Sequence, residues 1–340
     1  MSISGYRTIY ILCPANTRTG GPEAMHQLGR ALLDLGHDAR MVYATSDSEF
    51  QLHDGALDAP DIASPMPDAY ADYRVPRAMR VPDTADCAVV FPEVWPGVAF
   101  RFRKAKPHLW WLSIDNGLKP LESCGGIEAL RASAYVHLCQ SHYALTYLLD
   151  RSIRGWPLFD YTSSDILLAA GALDTTREAR VLFPARGRWF TQWLQRWAPD
   201  LPWQEISGFT PAQVRDLFLT SRLYVDFGNH PGKDRMPREA AILGCCVITG
   251  RRGAAANALD VPIPSRYKFR DSRLLVPRVV RAIRRTLSEY DARKVDFEVY
   301  RSTIRGERRE FILQAMRIFG GRLELGAWDL HPDQDSQLRP

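Results

Sequence analysis

The sequence contains no apolar run near the roughly 18 residues that a bilayer-spanning helix needs, so no membrane crossing is expected. Its opening stretch, MSISGYRTIYILCPANT, lacks the charged start and long apolar region of an export signal. Cysteine is sparse. The six present, Cys13, Cys87, Cys124, Cys139, Cys245 and Cys246, form no CxxC pair and sit mostly in apolar runs. That excludes a disulfide framework and a cysteine zinc site, and a reducing cytoplasm is the expected setting. The motifs GxSxG, HExxH, GxxxxGK[ST] and GxGxxG are absent, and the eight histidines show no metal-ligand spacing. No metal and no bound cofactor are therefore expected. Proline and glycine are near average, which excludes fibrous and low-complexity classes.

What is present is a chain of 340 residues, enough for two ordinary domains. The net charge is +5, but between Arg266 and Arg309 there are 14 Lys and Arg against 6 Asp and Glu. This segment can meet phosphate, an acidic glycan or the anionic inner face of a membrane; it can equally be a solvated helix face. Its helix near Ser272–Glu289 has no aromatic residue to interleave with the arginines, so nucleic acid is not an expected partner.

Short apolar segments alternate with helical patterns. Strands are expected at Thr8–Cys13, Ala39–Tyr43, Cys87–Phe91, His108–Ile114 and Tyr135–Cys139, with helices at Gly21–Leu35 and from Ser141 to about Asp150. The polar, proline-rich stretch Asp47–Asp72 reads as loop. The alternation resumes with strands at Arg180–Pro184, Gln204–Ile206, Leu223–Phe227 and Cys245–Thr249. Helices fall at Thr191–Trp197, after the Thr210-Pro211 start signal, at Pro237–Leu243, and near Ser272–Glu289 and Asp291–Phe319. This pattern is α/β, with two doubly wound Rossmann-like domains whose parallel sheets are covered on both faces. Ligands of such sheets sit at the carboxyl ends of strands, and a cleft between the domains is the default site. The division expected is an N-terminal acceptor domain over 1–160, a C-terminal donor domain over 161–300, and a helix and tail over 301–340 packing back on the first domain.

Two loops carry the chemistry. After the first strand, Asn16, Gly20 and Gly21 lie where a backbone can approach a ligand and a helix can present its N–H groups to phosphate. A tight turn explains the same residues. The stretch DFGNHPGKDRMPREAAILGCCVITG, Asp226–Gly250, sets Gly232, Lys233, Arg235, Arg238 and Glu239 between two strands. Cations beside helix N–H groups suit a diphosphate, and a carboxylate there can accept hydrogen bonds from sugar hydroxyls; alternatively Glu239 caps a helix and the cations are solvated. Arg186 and Arg188 follow another strand, and Gly253 lies in a later glycine loop. Asp115, at the expected end of His108–Ile114, can orient an acceptor hydroxyl or act as a base, or simply cap a turn. Glu93 and Trp95 are placed similarly, the Trp as a sugar-stacking ring or as core.

These segments resemble a family. GGPEAMHQLGRALLDLGHDARMVY is similar to the opening of GT-B glycosyltransferases, and REAAILGCCVITGRRGAA resembles the donor-site segment E-A-x-A-x-G-x-P-V-I of the retaining branch. Glu239, Ala240, Gly244, Val247 and Ile248 match it in place. Two departures stand out: Pro231 occupies the position of the family's first glutamate, and Cys246 that of its proline. The resemblance implies a hexosyltransferase-like transfer of a sugar from a nucleotide-sugar co-substrate to a glycan or lipid-linked acceptor, as in surface polysaccharide synthesis, and with Lys233, Arg235 and Arg186 to offset the leaving phosphate's charge no metal is required. It places Glu239 on the donor ribose and Arg186 on phosphate. Lys233, Arg235, Glu239 and Asp115 are the catalytic candidates. Arg186, Arg188, Gly232, Arg238 and Gly253 join them as donor contacts, with Asn16, Gly20, Gly21 and Glu93 for acceptor or phosphate. The alternatives are a non-catalytic nucleotide-sugar or glycan-binding protein and a nucleotide-sugar epimerase on the same scaffold.

Overall fold

The computed structural model describes residues 5–171 and 176–321. The chain divides into two compact units. One comprises residues up to Trp110, Gly117–Leu138 and the residues from Ile312; the other comprises Trp111–Asn116 and Cys139–Phe311. Cys139–Asp160, expected with the N-terminal domain, thus clusters with the second unit.

The first unit is built on β1 (Thr8–Pro14), α1 (Gly20–Asp34) and β2 (Asp38–Ala44). Six of the seven β1 residues are buried, as expected of a parallel strand sheltered on both faces. Gly36, at φ 83°, ends the helix region and returns the chain to β2. The polar, proline-rich stretch is not all loop: β3 (Gln51–His53), β4 (Ala56–Asp58) and β5 (Arg80–Pro82) form a small antiparallel sheet. Three-residue strands are too short to leave a periodic signal. β6 (Cys87–Pro92) and β7 (Lys106–Trp111) follow, then α2 (Ile114–Glu122), α3 (Gly126–Ala132) and β8 (Val136–Cys139). The parallel sheet runs in the order β2-β1-β6-β7-β8. β7 stops earlier than expected, because the Ser113 hydroxyl accepts the Asn116 N–H at 3.3 Å and starts a helix there.

The second unit takes α4 (His142–Leu149), β9 (Gly155–Pro157), α5 (Ser164–Ala170), β10 (Glu178–Pro184), α6 (Arg188–Trp197), β11 (Trp203–Ile206) and α7 (Pro211–Thr220). It continues with β12 (Ser221–Asp226), α8 (Arg235–Ile242), β13 (Cys246–Thr249), α9 (Val276–Ser288), α10 (Tyr290–Arg293) and α11 (Glu298–Phe319), whose last turns belong to the first unit. The sheet order is β11-β10-β12-β13, all parallel. The chain moves outward from β10 to β11 and then back across β10 to β12. Right-handed crossovers therefore put α6 and α7 on opposite faces. Val181, Leu182, Leu223, Val225, Val247 and Ile248 form the middle of the core, covered by Phe190, Phe218 and Ile283. The long helix expected over Asp291–Phe319 is interrupted. The Arg301 guanidinium donates to the Lys294 carbonyl at 2.8 Å and to the Ala241 carbonyl at 2.9 Å, holding the turn before α11 in place.

The start of α7 is the Thr210-Pro211 signal realised in full. Thr210 Oγ1 accepts the Gln213 N–H, and Gln213 Oε1 accepts the Thr210 N–H at 2.8 Å. Thr210→Ala is expected to lower the unfolding free energy by about 1 kcal/mol in urea titrations, and Thr210→Ser to keep most of it.

Candidate functional site

β12 ends on a carboxylate. Asp226 is fully buried, and its Oδ1 accepts the Gly228 N–H at 2.9 Å. Oδ2 accepts from Arg186 Nη2 at 2.6 Å and from the Tyr224 hydroxyl at 2.8 Å. Arg186 lies just past β10, and its other nitrogen, Nη1, is 3.1 Å from Asp234 Oδ2. His230 sits between the same two carboxylates, with Nδ1 2.6 Å from Asp234 and Nε2 3.5 Å from Asp226. Two cations and two carboxylates thus close on one another at the carboxyl ends of adjacent strands. Burial alone would lower the His230 pKa, but the two carboxylates outweigh it and raise it to about 9. Burial would raise the Asp226 carboxyl, yet His230 and Arg186 hold it well below the ordinary range.

Glycines let these loops meet. A Cβ on Gly187, at φ 69°, would lie 2.4 Å from the Gly228 nitrogen. One on Gly253, at φ 53°, would lie 2.0 Å from the His230 carbonyl oxygen, which accepts the Ala254 N–H at 2.8 Å. Gly253 therefore holds loop to loop, and Gly232 does likewise against the Leu112 carbonyl.

The expected cations do not all face outward. Lys233 is 8% exposed and its Nζ is 2.7 Å from Glu307 Oε1 on α11. Its backbone N–H and carbonyl are both bound by the Gln140 amide, at 2.7 and 3.1 Å. Arg238 is completely buried, with Nη2 2.7 Å from Asp160 Oδ2 and Nη1 3.1 Å from Glu307 Oε2. Glu307 also accepts from Thr162 N and Oγ1. Arg238, expected as a donor contact, is thus a buried structural cation, and Lys233, expected as a catalytic and donor-contact residue, has its ammonium paired with Glu307. An arginine taken out of water needs such partners. Arg235 and Glu239 form an i,i+4 pair at 2.9 Å in the first turns of α8. They remain partly open, with side-chain exposures of 35% and 14%. Arg188 begins α6 and is exposed, paired with Glu205.

Asp115 is not at a strand end but in the first turn of α2. It nevertheless lies beside the same loop: its Oδ2 accepts from the Asn229 amide, and the Ile114 N–H donates to the Pro231 carbonyl at 2.9 Å. The Tyr143 hydroxyl approaches its other oxygen at 3.4 Å. In the first unit, Asn16 has φ 54°, and Gly20 and Gly21 open α1, whose N-cap Thr19 makes no side-chain cap. Glu93 is 4% exposed and Trp95 6% exposed. Trp95 packs edge-on against Phe50, which is the core alternative for that ring.

Arg186, Gly253, Asn229, Asp115 and the Arg235–Glu239 pair therefore share one end of the second unit with the uncapped N-termini of α6 and α8. Sequence reasoning missed Asp226, His230 and Asp234. The available signal was the four-residue spacing of Asp226, His230 and Asp234 in DFGNHPGKDR, an imidazole set midway between two carboxylates. Among the described residues, no group of three or more His, Cys, Asp or Glu has metal-holding geometry, and no helix is long and apolar enough to cross a membrane.

Over nearly its full length the chain superposes on solved glycosyltransferases. A glycosyltransferase from Rickettsia africae matches with a TM-score of 0.59 at 14% identity, covering 92% of this chain and 98% of that one. The fold is GT-B. Sucrose-phosphate synthase from Thermosynechococcus elongatus gives 0.58 at 12% identity, with 91% and 97% covered. Anabaena HepE, solved with UDP-glucose, gives 0.55 at 9% identity, with 91% and 98% covered. No protein-family model matches the chain, and no curated protein does. The GT-B resemblance of the sequence thus extends to its fold.

Two outcomes test this charge arrangement. Arg238→Ala leaves Asp160 and Glu307 buried without their cation and is expected to cost about 3–5 kcal/mol in urea unfolding. His230 has a folded pKa of about 9 against an ordinary 6.5. Its contribution to stability is complete below pH 6.5 and is lost as pH rises towards 9. The urea midpoint is expected to fall across that window, by an amount of the order of 3 kcal/mol in free energy, and His230→Gln to flatten the dependence.

Proposed function

We propose that the protein transfers a sugar from a nucleotide-sugar donor to a hydroxyl of a glycan or lipid-linked acceptor. One observation carries this reading. On a GT-B scaffold, Arg186, the Arg235–Glu239 pair and two uncapped helix N-termini meet at the carboxyl ends of β10 and β12. The donor diphosphate takes hydrogen bonds from the N–H groups that open α6 and α8, whose dipoles favour negative charge. Arg186 and Arg235 add charge-assisted donors as negative charge builds on the leaving phosphate. Glu239 accepts from hydroxyls of the donor ribose. Asp115, with Asn229 and Tyr143 on its oxygens, orients the acceptor hydroxyl and receives its proton. As the new carbon–oxygen bond forms, the anomeric carbon–phosphate oxygen bond breaks and the nucleoside diphosphate departs with the electron pair. Asn16, Gly20 and Gly21 are the acceptor or phosphate contacts of the first unit in this reading. Because protein cations and helix dipoles offset the leaving-group charge, the transfer is proposed to need no divalent metal.

A thermal-shift screen of UDP-, GDP-, ADP-, dTDP- and CMP-sugars is expected to raise the Tm with one nucleotide class, as a ligand of the folded state must. Asp115→Asn should lower turnover by about 10²–10⁴ with donor binding intact, and Glu239→Gln should weaken donor binding about tenfold. EDTA should leave turnover unchanged. Donor binding with neither transfer nor donor hydrolysis would instead assign a binding protein, and a changed sugar released without acceptor would assign an epimerase.

A further inference from the structure

We propose that the surface formed by α6 and α9 docks on an anionic membrane, a role separate from the reaction above. In α6, RWFTQWLQRW, Phe190, Thr191 and Leu194 turn into the core. Trp189, Trp193 and Trp197 recur every fourth residue along one edge, and Trp189 and Trp197 are 43% and 56% exposed. In α9, VPRVVRAIRRTLS, there is no acidic residue. Val276, Val279, Val280, Ile283 and Leu287 face inward, while Arg278, Arg281, Arg284 and Arg285 face outward.

Contacts bring the two helices into one surface. The Arg273 guanidinium stacks 4.3 Å over Trp193, and Arg284 makes two 2.7 Å hydrogen bonds to Asp200 just past α6. Arg196 covers the same Trp193 ring at 5.4 Å. Leu274, at the threshold of α9, is 90% exposed. Elsewhere in 266–309, Arg266, Arg285, Arg293, Lys294, Arg301 and Arg305 have carboxylate partners. Arg278 and Arg281 have no ion-pair partner among the described residues.

Amphipathic indoles and an exposed aliphatic side chain, set beside unpaired guanidinium groups, match the boundary between anionic headgroups and acyl chains. The charge complementarity selects the partner. A second copy meeting this face through a two-fold axis would set arginine against arginine. A soluble polyanion would make use of the arginines but not of Leu274.

The test uses the full chain with phosphatidylcholine vesicles, with and without phosphatidylglycerol, followed by co-sedimentation and tryptophan emission. Binding and a blue shift are expected only with the anionic lipid. Arg278→Glu with Arg281→Glu should lower partitioning about tenfold or more. Trp197→Ala with Leu274→Ala should lower partitioning and remove most of the shift, with the Tm unchanged. Failure to bind phosphatidylglycerol vesicles, or binding indifferent to both double variants, would overturn the proposal. So would heparin or single-stranded DNA binding that needs the arginines but not Trp197 and Leu274, or a concentration-dependent dimer that either variant dissolves.

Discussion

A buried cation needs polar partners that replace its water, and in the second unit the basic residues around the loop after β12 all find carboxylates. Arg186 and His230 share Asp226 and Asp234; Lys233 and Arg238 share Glu307, with Asp160 on Arg238; Arg235 has Glu239. These partners come from β12, from the loop after it, from α8 and α11, and from the segment before α5. The pairs therefore hold the loop in one conformation while neutralising it. The backbone contacts of Gly187 and Gly253 act in the same direction, since neither loop has room for a side chain where they touch.

A loop already neutral inside offers a ligand something other than bulk positive charge. What remains for an anion is direction: N–H groups at helix starts and guanidinium edges whose geometry is set before anything binds. Two guanidinium groups without an ion-pair partner among the described residues, Arg278 and Arg281, lie elsewhere, on the outer face of α9 in the surface that carries the α6 tryptophans. The basic excess of the C-terminal segment and the binding chemistry of the central loop are thus separate features, although both appear in the sequence as clusters of arginine.

The α/β alternation was legible because its parallel strands are almost wholly apolar, as in TIYILC and CVIT, and its helices carry start and stop signals such as Thr210-Pro211 and Gly36. The small β3-β4-β5 sheet was not, because three-residue strands lack a period. Asp115 reads as a strand end because LWWLSI is apolar except for Ser113, and that single polar residue is the cap that ends the strand. Lys233 and Arg238 read as ligand contacts because their carboxylates, Glu307 and Asp160, lie about 70 or more residues away in sequence. Long-range pairing of charges leaves no local pattern. Glu93 shows the same limit: its strand-end position is visible in sequence, and its burial is not.

The internal neutralisation of the loop rests most directly on the charge of His230. In ¹⁵N-histidine NMR spectra, with the His230 signals assigned by their loss in His230→Gln, an imidazolium with both ring nitrogens protonated is expected at pH 8. His26, His108 and His137, whose pKa values burial lowers, should be neutral there. A neutral His230 ring at pH 7 would contradict it.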